Sequence, residues 1–302
     1  MNQAKIIDNL LTQKKFLLVT GKGGIGKTLV SCALASRGVA LGRRVLIVEQ
    51  AAVEQIGALL GVAGVAHEEK WSGRLGVANF TAGGNFKDFI TKHLMKSNLL
   101  ELIVANKVVH SFFTAIPGFA ELMLLGRIYY ALNLAPGERP DLVILDGYAS
   151  GHFLSLMTTP DAVLKSGLAG PILHQTKLVK DWLSDHDQCA SLYVAVPEEL
   201  VISEALEFLP VLQSKSPASL GAVFINRCLD PADIGLADKS SRAFVFARDR
   251  WARQRVALEK YRKGMAGLTD LNHLPVIHLP ELGLIDEPLT DASVEKLFGG
   301  SR

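Results

Sequence analysis

The sequence predicts an α/β fold in which a mostly parallel sheet carries helices on both faces and one helical insert. Short β-branched or aliphatic runs alternate with longer segments of helical period, the pattern of strands joined by crossover helices. Several of the short runs are apolar at every position, as strands buried on both faces are. The 302 residues, 49% of them hydrophobic and 21% charged, are enough for a large core and exclude disordered, collagen-like and miniature disulfide scaffolds.

Taken in order, the first strand is read at Phe16–Thr20, followed by a helical run from Leu29 to Ala40. Strands at Arg44–Glu49 and Leu75–Phe80 come next. The segment 86–137 holds no strand signal. Phe86, Phe89, Ile90 and Leu94 fall at helical spacing, and Glu121 to Leu132 reads as a second helix. Pro117 and Gly118 break this insert between them. Strands at Asp141–Asp146, Leu192–Val196, Ala222–Asn226 and Val276–Leu279 complete the sheet. No internal repeat and no low-complexity linker divides the chain, so residues 1–302 are read as one domain with an insertion.

Lys and Arg number 32 against 30 Asp and Glu, a net charge of +2, which argues against a dedicated nucleic-acid binder. No uncharged stretch reaches the roughly 18 residues that a membrane-spanning helix needs. Asp8 and the short apolar run at Phe16–Thr20 do not make a secretory signal. Cys32, Cys189 and Cys228 lie far apart and form no Cys-x-x-Cys pair, so no zinc site is expected and the thiols fit a reducing compartment. A cytoplasmic protein, peripheral to the membrane at most, is the expectation.

The residues richest in chemistry are Gly21-Lys22-Gly23-Gly24-Ile25-Gly26-Lys27-Thr28, set directly after the first strand and before the first long helix. This is Gly-x-x-x-x-Gly-Lys-Thr, the phosphate-binding loop of P-loop NTPases. Glycines let successive backbone N–H groups converge on a phosphate, and the following helix aims its positive end at the same anion. Gly21, Gly23, Gly24, Ile25, Gly26, Lys27, Thr28 and Leu29 are therefore the candidate cofactor-binding residues. Lys27 would reach the β- and γ-phosphates, and the Thr28 hydroxyl would coordinate Mg²⁺. Asp146, which ends the apolar run Leu142-Val-Ile-Leu, stands where the metal of such a site finds its outer ligand.

Lys22, right after the first glycine, resembles the signature lysine of the deviant Walker A loop in the MinD, ParA and ArsA ATPases. Asp146-Gly-Tyr-Ala-Ser-Gly151-His152 resembles the Asp-x-Pro-x-Thr-Gly-His switch II of the ArsA branch, which includes the arsenite-pump and tail-anchored-protein-targeting ATPases. Val196-Pro-Glu-Glu-Leu-Val-Ile-Ser-Glu204 resembles its Pro-Glu element, and Ala115-Ile-Pro-Gly-Phe-Ala-Glu-Leu its Pro-Gly-x-x-Glu-Leu region. Gly221-Ala-Val-Phe-Ile-Asn226-Arg227 resembles its adenine-side strand. The resemblance implies ATP and Mg²⁺ as cofactors, and a homodimer or a heterodimer with an ArsA-like paralogue in which Lys22 reaches the partner's phosphates. It also implies a backbone hinge at Gly151, with Asn226 and Arg227 on the base side of the nucleotide.

The pattern breaks after the second strand. The family normally reads Asp-Pro-Ala-His there, its aspartate orienting the attacking water, whereas this chain reads Glu49-Gln50-Ala51-Ala52-Val53-Glu54. Binding should survive and the chemical step should slow, with Glu49 or Glu54 as substitute carboxylates. Lys22, Lys27 and Glu49 are the candidate catalytic residues. The expected function is an ATP-binding dimeric switch with slow or partner-dependent hydrolysis. The alternatives are a pseudo-ATPase subunit paired with an active paralogue, and a ParA- or MinD-like positioning factor.

The clustered cysteines of the arsenite pump are missing, as are the zinc clasp and Met-rich groove of the targeting ATPases. Within the insert, Phe112, Phe113, Ile116, Phe119, Leu122, Met123 and Leu125 are dense enough either to hold a hydrophobic client or lipid or to pack as core. From Lys239 to Lys263 nine basic residues face two acidic ones, with Phe244, Trp251, Leu258 and Tyr261 at helical spacing. That helix is either a solvated face or a contact for an anionic surface.

Overall fold

The computed structural model describes residues 2–50, 55–62, 67–89, 118–134, 137–166, 171–230, 241–282 and 288–299. The strands are β1 (Phe16–Gly21), β2 (Val45–Glu49), β3 (Lys70–Ser72), β4 (Leu75–Asn79), β5 (Leu142–Ala149), β6 (Cys189–Ala195), β7 (Ser219–Cys228) and β8 (Val276–Pro280). Among the described residues they form one eight-stranded sheet in the order β3-β4-β2-β5-β1-β6-β7-β8. Every pairing is parallel except that of β3 with β4. This is the α/β sheet that the alternating pattern predicts. β1, β2 and β6 are buried at every position, which is why their sequences are continuous apolar runs.

The helices are α1 (Gln3–Gln13), α2 (Lys27–Ala40), α3 (Ile56–Leu60), α4 (Ala82–Phe89), α5 (Phe119–Leu132), α6 (Ser150–Lys165), α7 (Pro171–Leu183), α8 (Glu199–Lys215), α9 (Arg242–Ala266) and α10 (Asp291–Phe298). α1, α2 and α10 pack together in one layer, and α5 to α9 pack in another, in chains of α5 on α6 and α7, α6 on α8, and α8 on α9. The chain runs from β1 to β2 on one side of β1 and, later, from β5 across to β6 on the other. The carboxyl end of β1 is thus the point where the winding reverses, the usual place for a ligand crevice.

Several elements go beyond the sequence reading. α1 starts where the Asn2 side chain accepts the N–H of Ala4, and it buries only Ile7, Leu10 and Leu11, too few for a strong periodic signal. β3 is short, with Trp71 stacked 3.8 Å below the Arg44 guanidinium. β5 runs three residues past Asp146, so Gly147, Tyr148 and Ala149 are strand where a switch loop was expected. Gly147 makes this extension sterically feasible, because a Cβ there would lie 2.4 Å from the Val19 carbonyl oxygen of β1.

The insert is bounded by α4 and α5, and its residues 90–117, including Ile90, Leu94, Phe112, Phe113 and Ile116, lie outside the described residues. Phe119, Leu122, Met123 and Leu125 are 3%, 2%, 5% and 0% exposed. These four are core, the second of the two roles open to them: α5 packs on α4, α6 and α7 and leaves them no open face. Among the described residues no helix is long and apolar enough to cross a membrane.

Candidate functional site

The loop leaves β1 at Gly21 and enters α2 at Lys27. Gly21, Gly24 and Gly26 have φ of +145°, +79° and +90°, and two of them also pass close to neighbours. A Cβ on Gly21 would meet the Val194 carbonyl oxygen at 2.1 Å, and one on Gly26 would meet Asn226 Nδ2 at 2.5 Å. Ile25 plugs the loop into the core at 4% exposure, while Gly23 and Gly24 stay exposed. No side chain caps α2, so its first-turn N–H groups are available to an anion at the loop. The Lys27 ammonium curls over this concavity and donates to the Lys22 carbonyl at 3.0 Å. Burial lowers its pKa, and the nearby Asp146 charge partly restores it.

Asp146 sits on β5 beside β1. Its Oδ2 accepts from the Thr28 hydroxyl at 2.7 Å and its Oδ1 from Ser31 at 3.0 Å. Burial pushes its carboxyl up, opposed by those two hydrogen bonds and by Lys27. The carboxylate is thus kept at an energetic cost next to a hydroxyl and an ammonium. That donor set of hard oxygens fits Mg²⁺ held by a threonine hydroxyl and a triphosphate, with Asp146 as the outer partner.

Glu49 ends β2, in register with Asp146 on the neighbouring strand, and is 2% exposed. Its Oε2 accepts the backbone N–H groups of Gln55 at 3.2 Å and Ile56 at 3.4 Å, where α3 starts. Its Oε2 is therefore tied to the backbone, as is the Lys27 ammonium. Ala51 to Glu54 lie outside the described residues. Gly151 falls in the first turn of α6 with nothing within 4 Å of a Cβ there, and Leu29 continues the first turn of α2. His152 is exposed and lies 6.2 Å, ring to ring, from Tyr148. Burial, with Glu121 of α5 nearby, raises the Tyr148 phenol to about 12.

Lys22 Nζ pairs with Glu204 Oε2 of α8 at 2.7 Å, both groups more than a third exposed. Asn226, at the end of β7, is 2% exposed and donates from Nδ2 to the Ile25 carbonyl at 2.9 Å. Arg227 donates from Nη2 to the Gly24 carbonyl at 3.0 Å. Both residues reach the phosphate loop itself, through its Ile25 and Gly24 carbonyls. The sequence reading gave no individual role to Ser31 of α2, Glu204 of α8 or Gln254 of α9. Ser31 was within reach, since it stands one helical turn after Thr28 and so shares its face.

The expected apolar stripe of α9 is rotated. Gln254, Ala257, Tyr261 and Met265 are its buried residues, while Trp251 and Leu258 are half-buried. Much of its basic charge is paired within the chain: Arg250 with Glu281, Arg248 with Asp249, and both Arg262 and Lys263 with Glu259. Lys239 lies outside the described residues.

Residues 14–170, just over half of the chain, match the sequence model of the ArsA family, described as anion-transporting ATPases. Among curated proteins the chain is 28% identical over 240 residues to the putative ATPase Mb3704 of Mycobacterium bovis, covering 73% of this chain and 68% of that protein. It matches the ATPase BagA of Mycobacterium tuberculosis to the same extent. It is also 25% identical over 202 residues to the ATPase asna-1 of Caenorhabditis elegans, covering 56% of this chain and 55% of the relative.

Proposed function

This chain belongs to the ArsA ATPase family, and from that premise we propose that it is an ATP- and Mg²⁺-dependent switch that closes as a dimer and hydrolyses slowly unless a partner assists. The observation that carries this reading is the loop Gly21–Thr28, with Lys27 curled over it and Thr28 bonded to Asp146. Loop N–H groups and the start of α2 would bind the phosphates, and Lys27 would hold the β- and γ-phosphate charge. Thr28 and Asp146 would hold Mg²⁺, which when bound draws electron density from the phosphoryl group.

Dimer closure is supported by the surface around Lys22. Leu200 stands one turn before Glu204 on α8 and is 71% exposed, and Phe246 and Val256 of α9 are 65% and 67% exposed. The latter two line a cavity of about 640 Å³ with Pro197, Glu198 and Glu199, at the start of the helix that carries Glu204, the partner of Lys22. Slow turnover follows from the second strand, which offers Gln50 and Ala51 where a nucleophile-orienting carboxylate would act, while Glu49 is committed to the start of α3. The same feature favours a second reading, a nucleotide-binding subunit that is active only beside an ArsA-like paralogue. Client handling at the insert would fall to Phe112, Phe113 and Ile116, since Phe119, Leu122, Met123 and Leu125 are core.

Light scattering and phosphate release with ATP and Mg²⁺ test this. A mass that doubles with ATP, and release that is slow alone and faster with a paralogue, are expected. A monomer under every nucleotide condition would remove the dimer, and brisk turnover by the isolated chain would remove the pseudo-ATPase reading.

A further inference from the structure

We propose that Gln254, on α9, is a positioning residue for the phosphate loop, acting through a strained turn at the end of β7. The inference rests on the nucleotide-site reading above and concerns how that site is held in shape. Arg227 has φ of +59°, the sole non-glycine residue with positive φ among those described, a conformation that a side chain with a Cβ disfavours. Gln254 is 6% exposed and grips this turn with both ends of its amide. Its Nε2 donates to the Arg227 carbonyl at 2.9 Å, and its Oε1 accepts the Leu229 N–H at 2.9 Å. Arg227 falls in the irregular register between Ile225 and Cys228 of the β7–β8 ladder, and Leu229 lies past the end of β7, so the glutamine side chain serves both groups where regular strand pairing lapses.

The strained turn points straight at the loop. With Arg227 left-handed, its N–H donates to Asn226 Oδ1 at 2.9 Å, which fixes the Asn226 amide so that Nδ2 donates to the Ile25 carbonyl at 2.9 Å. The Arg227 guanidinium takes the Gly24 carbonyl at 3.0 Å. A trans peptide unit is planar, with its N–H directed opposite to its C=O. Drawing the carbonyls of Gly24 and Ile25 toward β7 therefore turns the N–H groups of Ile25 and Gly26 to the other side, into the concavity where an anion would sit. An unbroken line of hydrogen bonds runs from α9 through Gln254, the Arg227 backbone and Asn226 to two peptide planes of the loop. α9 also presents exposed Val245, Phe246 and Val256 to solvent. A partner that shifts α9 would consequently be felt by the phosphate loop.

The test uses the full chain with Gln254→Ala, Gln254→Glu, Arg227→Gly and the Gln254→Ala/Arg227→Gly double variant. Gln254→Glu keeps the volume and the acceptor for Leu229 but loses the donor to Arg227, so it serves if the alanine variant folds poorly. Two readouts are taken: the dissociation constant of MgATP, and hydrogen exchange of the amides in residues 21–28 without nucleotide. Either Gln254 variant is expected to weaken MgATP at least about fivefold and to speed loop exchange severalfold. Glycine adopts φ of +59° without strain, so in the Arg227→Gly chain the same Gln254→Ala change should alter both readouts less than about twofold. An equal effect in both backgrounds would reduce Gln254 to ordinary packing, and unchanged affinity and exchange would remove its role altogether. If the wild-type chain fails to bind MgATP, the nucleotide reading falls, and loop exchange alone then decides whether the clamp exists.

Discussion

Gly26→Ala is the substitution that most sharply tests the geometry of the loop. Gly26 stands just outside α2 with φ of +90°, so an alanine there gains nothing from helix propensity and incurs the left-handed penalty of about 1–2 kcal/mol. The new Cβ would also lie 2.5 Å from Asn226 Nδ2, a buried amide with no room to retreat. Displacing it breaks the bond to the Ile25 carbonyl, worth about 1 kcal/mol net. Together these effects predict a destabilisation of about 2–3 kcal/mol, which in a chain of this size lowers Tm by about 5 °C. Gly23→Ala is the control, because nothing lies within 4 Å of a Cβ there and φ is not positive. It should stay within about 0.5 kcal/mol of wild type. Thermal and urea unfolding followed by Trp fluorescence, without nucleotide, measure both. Equal stability of the two variants, or a Gly26→Ala chain as stable as wild type, would refute the packing of Asn226 against the loop.

Other expectations follow from the same site. Asp146→Asn should leave the chain at least as stable as wild type at neutral pH. Burial raises the folded-state pKa of this carboxyl, so its ionisation costs stability above that pKa, and the cost fades as pH falls toward the unfolded value of 3.8. The variant should therefore lose less stability than wild type as pH rises from about 4 to 7 in unfolding titrations, while its Mg²⁺ affinity with ATP drops about 10–100-fold. Lys22→Ala should reduce phosphate release by about 10³-fold, as removal of a charge reaching across an interface does, with ATP titrations little changed. Turnover equal to wild type would exclude that role. Glu204→Gln should cost under about 1 kcal/mol, since its pair with Lys22 is half-exposed. By releasing that lysine from its own chain it should lower the ATP concentration at which light scattering detects dimers.

The loop was legible because its parts are adjacent in sequence: an apolar strand, four closely spaced glycines, a lysine and a threonine at a helix start. Asp146 was legible for a related reason, since a carboxylate ending a buried strand must have a polar purpose. The end of that strand was not, because Asp-Gly-Tyr-Ala reads as part of a switch segment until the Val19 carbonyl of β1 is seen passing where a Cβ on Gly147 would be. Glu204 and Gln254 were invisible for a deeper reason. Hydrophobic periodicity reports where apolar carbon is buried, and on α9 it selected Phe244, Trp251, Leu258 and Tyr261. The buried face shares Tyr261 with that set but also carries Gln254, whose partners are the backbone groups of Arg227 and Leu229, 27 and 25 residues away. A backbone carbonyl or N–H is present at nearly every position and leaves no mark in composition or spacing, so a side chain that works by gripping one looks like any solvated polar residue. Glu49 followed the same rule in reverse: its type suggested chemistry, while its Oε2 is occupied by the N–H groups at the start of α3. In this site the residues that would meet a ligand are written in the chain, and those that hold its backbone in shape emerge only once the chain is folded.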